Sequence, residues 1–133
     1  MPSLRASTTA LGLAVVTAAS TTLVAPAPSA TAKGGDAVIA RGSCSERGDW
    51  KLKAKQDDGR IEVELEVDTN RAGQTFRVRM WDNGDRFFAG RRTTKAPSGS
   101  FSLERRTANR AGPDTVRARA VRGDNVCTGR VTV

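Results

Sequence analysis

The chain has 133 residues and a formal net charge of +8, with 22 Lys and Arg against 14 Asp and Glu. It contains no histidine, which excludes Ser-His-Asp and Cys-His catalytic sites and removes the commonest metal ligand. Its two cysteines, Cys44 and Cys127, are expected to pair outside the cell, which leaves no thiolate for a metal site.

Residues 1–32 are predicted to be a cleaved secretory signal peptide. They contain one cation, Arg5, and no acid, followed by the run ALGLAVVTAASTTLVA from Ala10 to Ala25. Ala30-Thr31-Ala32 supplies the small residues of a cleavage site before Lys33. Thr and Ser dilute the run, and it ends in Pro and small residues, so cleavage is favoured over a retained membrane anchor. We therefore expect a secreted, extracellular protein with no transmembrane anchor after signal removal.

Residues 33–133 have the size of one ordinary domain. We divide them into a leader at 33–48, with a short edge strand at Val38–Ala40 and Cys44, and a β-sandwich domain at 49–133. A Cys44–Cys127 disulfide would close most of this domain into a loop, contributing about 4–5 kcal/mol by restricting the unfolded chain. Only Arg5 is charged before Lys33, so this part has a net charge of +7. We expect it to be monomeric.

The segment KLKAKQDDGRIEVELEV, residues 51–67, predicts a β-hairpin. Apolar side chains alternate with lysines before Asp58-Gly59 and with glutamates after it, the period of a half-buried strand. Asp-Gly favours a type I′ turn, in which both central residues have positive φ. The turn predicts three cross-strand pairs: Lys51/Glu66, Lys53/Glu64 and Lys55/Glu62. These charges are therefore interpreted as pairs that hold the register.

The segment QTFRVRMWDNGDRFFAG, residues 74–90, predicts a second hairpin around Asn83-Gly84, the other preferred I′ pair. The expected inner face contains Phe76, Val78, Met80, Phe87 and Ala89. The expected outer face contains Arg77, Arg79, Trp81, Arg86 and Phe88.

Three further strands complete the predicted fold. Phe101 and Leu103 point inward from the strand that follows Pro97-Ser98-Gly99, and the last strand is VCTGRVTV. Between them, a strand after Gly112-Pro113-Asp114 places Val116, Ala118 and Ala120 inward. No stretch after residue 33 has helical periodicity. Short strands separated by turn residues indicate an all-β, seven-stranded antiparallel sandwich preceded by a short leader.

The region from Trp50 to Val133 resembles the fibronectin type III and immunoglobulin-like sandwiches. The resemblance rests on Trp50, the Asn83-Gly84 hairpin, the segment Ser98-Gly99-Ser100-Phe101 and GPDTVRARAV. It implies the strand order A-B, C-C′, E, F-G along the chain, with C′-C-F-G in one sheet and A-B in the other. The tyrosine of the fold's tyrosine corner is missing, since the chain has no Tyr. In its Ala/Thr-rich signal, Gly42-Ser43-Cys44 and the late Cys127, the whole chain also resembles small secreted actinobacterial proteins of unassigned function, which implies secretion but no activity.

Three groups of residues suggest chemistry but have simpler interpretations. Glu62, Glu64 and Glu66 lie about 7 Å apart along one strand, a spacing that suggests glycoside hydrolysis, but each faces a lysine. WDNGD, residues 81–85, has acids that suggest a calcium site, but a two-residue turn offers too few oxygens. Ser98 or Ser100 with a lysine would be the remaining nucleophilic pair. We predict a protein that is not an enzyme and has no cofactor or metal.

The strongest candidate surface is the outer face of the C′-C-F-G sheet. The candidate anion-binding residues are Arg77, Arg79, Arg86, Arg117, Arg119, Arg130, Trp81 and Phe88. Arginine forks bind phosphate, sulfate and carboxylate, and interleaved aromatics add stacking. The alternative is a solvated face whose charges pair with Asp82, Asp85 and Asp124. The expected partner is a polyanion or cell-wall component: a wall polymer, an acidic glycan or nucleic acid.

Another possible role is that of a secreted inhibitor or small-ligand carrier that uses the loops at one end of the sandwich. Actinobacterial chromoprotein carriers are secreted sandwiches of similar size. Their paired local disulfides are missing from this chain.

Overall fold

The computed structural model describes residues 35–133, so the predicted signal peptide lies outside the described residues. The eight strands are β1 Val38–Ser43, β2 Asp49–Asp57, β3 Arg60–Asp68, β4 Thr75–Asp82, β5 Asp85–Thr93, β6 Ser100–Ala108, β7 Thr115–Arg122 and β8 Asn125–Thr132. They form two four-stranded antiparallel sheets: β1-β2-β3-β6, called sheet 1, and β5-β4-β7-β8, called sheet 2. Within residues 35–133 no helix is long and apolar enough to cross a membrane.

The all-β sandwich is confirmed, but the predicted count of seven strands is wrong. The leader contributes β1, a six-residue strand rather than the short segment Val38–Ala40. It pairs with β2 along its whole length, from Val38 opposite Ala54 to Ser43 opposite Asp49. The free edge of β2 explains this pairing, because unpaired backbone groups at an edge readily accept another strand.

The first hairpin folds as its sequence predicts. Asp58 and Gly59 have φ values of 52° and 73°, the positive φ that a type I′ turn requires at both central positions. All three predicted pairs are confirmed in the register: Lys51 opposite Glu66, Lys53 opposite Glu64 and Lys55 opposite Glu62. The turn type and the alternation of apolar side chains therefore agree on one register.

The core fills the space between the inner faces of the two sheets. Leu52, Val63 and Leu65 of sheet 1 face sheet 2, where Val78 and Met80 are fully buried. The Phe76 ring packs against Phe101 across the core, with ring centroids 5.9 Å apart. Removing each large apolar side chain from water stabilises the fold by about 1.5–3 kcal/mol.

The second hairpin has the predicted turn but a different register beyond it. Asn83 and Gly84 have φ values of 48° and 89°, as a type I′ turn requires. A β-bulge at Met80/Trp81 then places Phe88 opposite the buried Met80 and Ala89 opposite Arg79. The predicted outward position of Phe88 and the inward position of Ala89 are therefore wrong. One extra residue in a bulged strand exchanges the faces of the residues that follow it.

A tryptophan closes the side of the sandwich where β1 lies against β8. Trp50 points to the inner face of β2 and packs against the core. A Cβ added to Gly42 of β1 would lie 2.6 Å from the ring, and one added to Gly129 of β8 would lie 2.5 Å from it. Both glycines are thus required by the close approach of the indole. The predicted Cys44–Cys127 disulfide is confirmed and joins the same two ends of the chain.

The opposite side, where β5 lies near β6, is closed in a similar way by Phe88. A Cβ on Gly90 would lie 2.8 Å from the Phe88 ring. The guanidinium carbons of Arg92 and Arg105 lie 5.4 and 4.6 Å from the ring centroid. An aromatic ring over a glycine therefore covers the core at each open side of the sandwich.

We predict that Gly129→Ala lowers the free energy of unfolding by about 1–3 kcal/mol, because the methyl group would overlap the Trp50 ring in a packed core. Urea denaturation measures the change. In a Trp50→Phe background the smaller ring leaves room, so the same substitution should cost clearly less. Equal costs in the two backgrounds would contradict the steric role of Trp50.

Candidate anion-binding face

Seven arginines share the outer face of sheet 2. Val78, Met80, Val116, Ala118 and Ala120 point into the core, so the residues between them point outward. We define the arginine face as Arg77, Arg79, Arg86, Arg91, Arg117, Arg119 and Arg130. Arg91 joins the six predicted members because it pairs with Arg77 after the bulge.

The register of sheet 2 sets arginines directly opposite one another. Arg77 faces Arg91, Arg79 faces Arg119, and Arg117 faces Arg130. Like charges in directly opposed positions destabilise a sheet, by up to about 1 kcal/mol for each pair. The fold alone does not require this arrangement, because neutral polar residues would satisfy an exposed sheet face equally well.

None of the seven arginines makes a salt bridge within 4.0 Å in the part of the chain that the structure describes. All 14 acidic residues lie after residue 35, so the described residues contain every carboxylate side chain. Asp82 is buried on the inner side of β4. Asp85 binds Arg110, which is not part of the arginine face, at 2.8 Å. The alternative interpretation, in which the face pairs with Asp82, Asp85 and Asp124, has no salt bridge within 4.0 Å to support it among the described residues.

The outer face of sheet 1 shows the opposite arrangement. Lys51 lies 2.8 Å from Glu66, and Lys53 lies 3.0 Å from Glu64. The hydrogen bond from Lys53 lowers the pKa of the Glu64 carboxyl. The third pair, Lys55 and Glu62, is 3.4 Å apart. The three glutamates suggested as glycosidase carboxylates are thus held by lysines, as the register predicts.

Trp81 lies within the arginine face, half-buried, with the guanidinium carbon of Arg117 4.3 Å from its ring centroid. This distance is that of a cation–π contact, which orients Arg117 over the ring. Phe88, the other predicted aromatic member, lies toward the core instead. The sequence alternation gave no signal of the bulge that moves it there.

Two shallow concavities lie on this face. One, of about 90 Å³, is lined by Arg77, Arg79, Arg119 and Val121. The other, of about 390 Å³, is lined by Trp81, Asn83, Gly84, Thr115, Arg117 and Arg130. The space between the sheets is filled by core side chains, so the candidate site lies on the surface.

Asn83 makes hydrogen bonds that fix one end of the arginine face, accepting one and donating another. Its Oδ1 accepts a hydrogen bond from the Thr115 backbone N–H at 2.8 Å, and its Nδ2 donates to Asp114 Oδ1 at 3.1 Å. These bonds attach the β4–β5 turn to the start of β7. They fix the relative position of Trp81 and Arg117, which are cross-strand partners beside this turn.

The acids of WDNGD point in different directions and do not converge on a cation. Asp82 accepts a hydrogen bond from Thr107 Oγ1 at 3.3 Å in the interior, and its Oδ1 has no partner among the described residues. Asp85 is exposed and binds Arg110. Across residues 35–133 no group of three or more acidic or cysteine side chains is placed to hold a metal ion.

Comparison of the chain with protein-family models, with curated proteins and with solved structures finds no significant match.

We predict that Asp82→Asn stabilises the protein near neutral pH by about 1–3 kcal/mol, because the neutral amide replaces a buried carboxylate whose charge has lost its hydration. Burial, together with the charge of Asp114, raises the pKa of Asp82 above its ordinary 3.8. The folded state therefore binds this proton more tightly than the unfolded state, and stability falls as the pH rises from 3.8 through the raised pKa.

Thermal unfolding of both proteins across this pH range tests the prediction. The two stability curves should converge at low pH and separate as the pH rises. Asp124→Asn, in the exposed β7–β8 turn, is the matched control and should not change the pH profile. Parallel curves for the wild type and Asp82→Asn would contradict a raised Asp82 pKa.

Proposed function

We propose that this protein is a secreted, non-catalytic β-sandwich that binds an extracellular polyanion through the arginine face. The partner would be a wall polymer, an acidic glycan or nucleic acid. The observation that carries the proposal is the set of opposed arginines, such as Arg79 and Arg119, without a carboxylate partner. A bound anion would supply the missing countercharge, and arginine is suited to this role because its planar fork donates two parallel hydrogen bonds.

The distribution of charge between the sheets supports the same surface. The lysines of sheet 1 are neutralised by glutamates at 2.8–3.4 Å, so the net positive charge is concentrated on sheet 2 and its edges. A surface of one sign raises the local concentration of oppositely charged ligands and speeds their association. The arginine face therefore supports polyanion binding better than the more conspicuous lysine and glutamate strands.

Secretion is part of the proposal and is supported by two features. The Cys44–Cys127 disulfide is typical of an oxidising compartment, and residues 1–32 have the sequence pattern of a signal peptide. We also propose that the sandwich is of the immunoglobulin or fibronectin type III kind. Its β2-β3-β6 and β5-β4-β7-β8 orders correspond to the A-B-E and C′-C-F-G orders of that fold, with β1 added at an edge.

We predict that the variant Arg77→Ser/Arg79→Ser/Arg119→Ser elutes from heparin or teichoic-acid columns at clearly lower salt than the wild type. Log affinity falls as log salt rises, and each lost contact should make this slope less steep by about 0.7. The slope of the triple variant should therefore be less steep than that of the wild type by about 2. These arginines are outside the core, so the free energy of unfolding should stay the same or rise slightly as like-charge repulsion is relieved.

The matched control is Arg41→Ser/Arg47→Ser/Arg60→Ser, which removes the same charge from exposed positions outside sheet 2. If binding depended only on net charge, the two variants would elute at the same salt. That result would overturn the assignment of binding to the arginine face.

A further inference from the structure

A basic cleft continues the arginine face around the β5 edge of sheet 2. It has a volume of about 480 Å³ and is lined by Arg91, Arg92, Thr93, Lys95, Ser100, Phe101 and Ser102. Arg91 belongs to both surfaces, since it is the cross-strand partner of Arg77. The other wall comes from β6 of sheet 1, so this cleft bridges the two sheets at their open side.

The cleft and the two concavities of the arginine face lie in one diagonal line. The line starts at Arg117 and Arg130, passes Arg119, Arg79 and Arg77, and ends in the cleft at the edge. Crossing sheet 2 from β8 to β5 covers three strand spacings of about 4.8 Å. Moving along the strands from the row of Arg117 to the row of Arg77 covers two steps of two residues, each about 6.8 Å. The resulting track is roughly 20 Å long, which suits a linear polymer better than a single small anion.

Trp81 on the track and Phe88 beneath its edge already contact guanidinium groups. Arg117 lies over Trp81 at 4.3 Å. The Phe88 ring contacts Arg92 and Arg105, and it packs against Gly90. These contacts occupy ring faces that nucleic-acid bases would otherwise stack on. They leave guanidinium N–H groups to donate to oxyanions, so the aromatics orient cations rather than bind bases.

Three hydroxyl groups lie beside the cations of the cleft: that of Ser102, and those of Ser100 and Thr93, which share hydrogen bonds with Ser98 and Thr75 at 2.7 and 2.8 Å. Ser100 and Ser102 of β6 line one wall, and Thr93 lies next to Arg92 on the other. A phosphodiester group has two charged oxygens and two ester oxygens in a tetrahedral arrangement, so a guanidinium fork can bind the charged pair while a hydroxyl donates to an ester oxygen from another direction, whereas a carboxylate has only two oxygens, in one plane. The donor set therefore favours phosphate over carboxylate.

We propose that this track binds a linear phosphodiester polymer through its phosphates, without contributions from aromatic bases. This inference rests on the proposed function and deepens it by naming the ligand chemistry and adding the edge cleft to the site. A sugar-phosphate or polyol-phosphate chain is the kind of polymer that fits. It crosses sheet 2 diagonally, and its phosphates bind the arginine face and then the cleft.

The first test compares single-stranded oligothymidylate with an abasic sugar-phosphate chain of equal phosphate number, by fluorescence anisotropy. We expect equal affinities within about twofold, because phosphates alone are bound. Stacked bases would make oligothymidylate bind tighter, by about fivefold or more for each stacked base, which would overturn the base-free ligand. A heparin fragment of equal charge that bound clearly tighter than the abasic chain would overturn the preference for phosphate.

The second test asks whether the cleft is part of the track. Even at the duplex rise of about 3.4 Å per phosphate, roughly six phosphates span 20 Å, and an extended single chain needs fewer, so abasic chains with about two and about twelve phosphates are compared. We expect Arg92→Ser/Lys95→Ser to weaken binding of the long chain and to make its slope of log affinity against log salt less steep by about 1.4. Binding of the short chain should change little. Arg41→Ser/Arg60→Ser is the charge-matched control and should affect neither.

Because Arg92 packs against Phe88, the double variant also perturbs the edge of the core. Lys95→Glu is therefore measured alongside it, since Lys95 is exposed and its contact with Ser100 is made by the backbone. Unchanged binding of the long chain in Lys95→Glu would overturn the role of the cleft. If the arginine-face variant still lost binding, the proposed function would stand. If neither variant lost binding, the proposed function would fail as well.

Discussion

The burial of the inward side chains of β4 sets the position of every arginine on the opposite face. Phe76, Val78 and Met80 are fully buried and together stabilise the fold by roughly 4–9 kcal/mol. The opposed arginine pairs cost up to about 1 kcal/mol each. Because a slip of one residue would expose the buried set, the core holds β4 in a register that like-charge repulsion alone would disfavour.

The closure of the two open sides is the second constraint on the molecule. Trp50 fills the space between β1 and β8 where Gly42 and Gly129 have no side chain, and the disulfide joins the same region. On the other side, Phe88 covers the core beside β6. Sealing this side also places Arg92 over the Phe88 ring. The packing of the core and the position of the edge cations therefore have a common origin.

The outer faces of the two sheets differ in whether their cations are paired with acids. Salt bridges on an exposed sheet contribute little stability, typically below about 1 kcal/mol, so the pairs of sheet 1 are best understood as a device that holds register and neutralises that face. The outer face of sheet 2 also has alternating side chains, but among the described residues its arginines make no salt bridge with an acid. This difference makes the outer face of sheet 2 the candidate surface for a ligand.

Features that depend on near neighbours along the chain could be predicted from the sequence alone. The alternation around Asp58-Gly59 was enough to predict the register of β2 and β3, and the cysteine pair was enough to predict the disulfide. The outward position of Arg77, Arg79 and the arginines of β7 also followed from alternation. These predictions succeed because the pleat repeats every two residues and the turn residues define where each strand reverses.

Features that depend on distant parts of the chain could not be predicted, because they arise from the packing of the two sheets. The bulge that turns Phe88 inward allows its ring to cover the core beside β6, a contact between the two sheets that no local pattern encodes. The pairing of β1 with β2 likewise depends on a free edge elsewhere in the fold. The edge cleft, and with it the role of Arg92 and Lys95, exists only because the two sheets meet there.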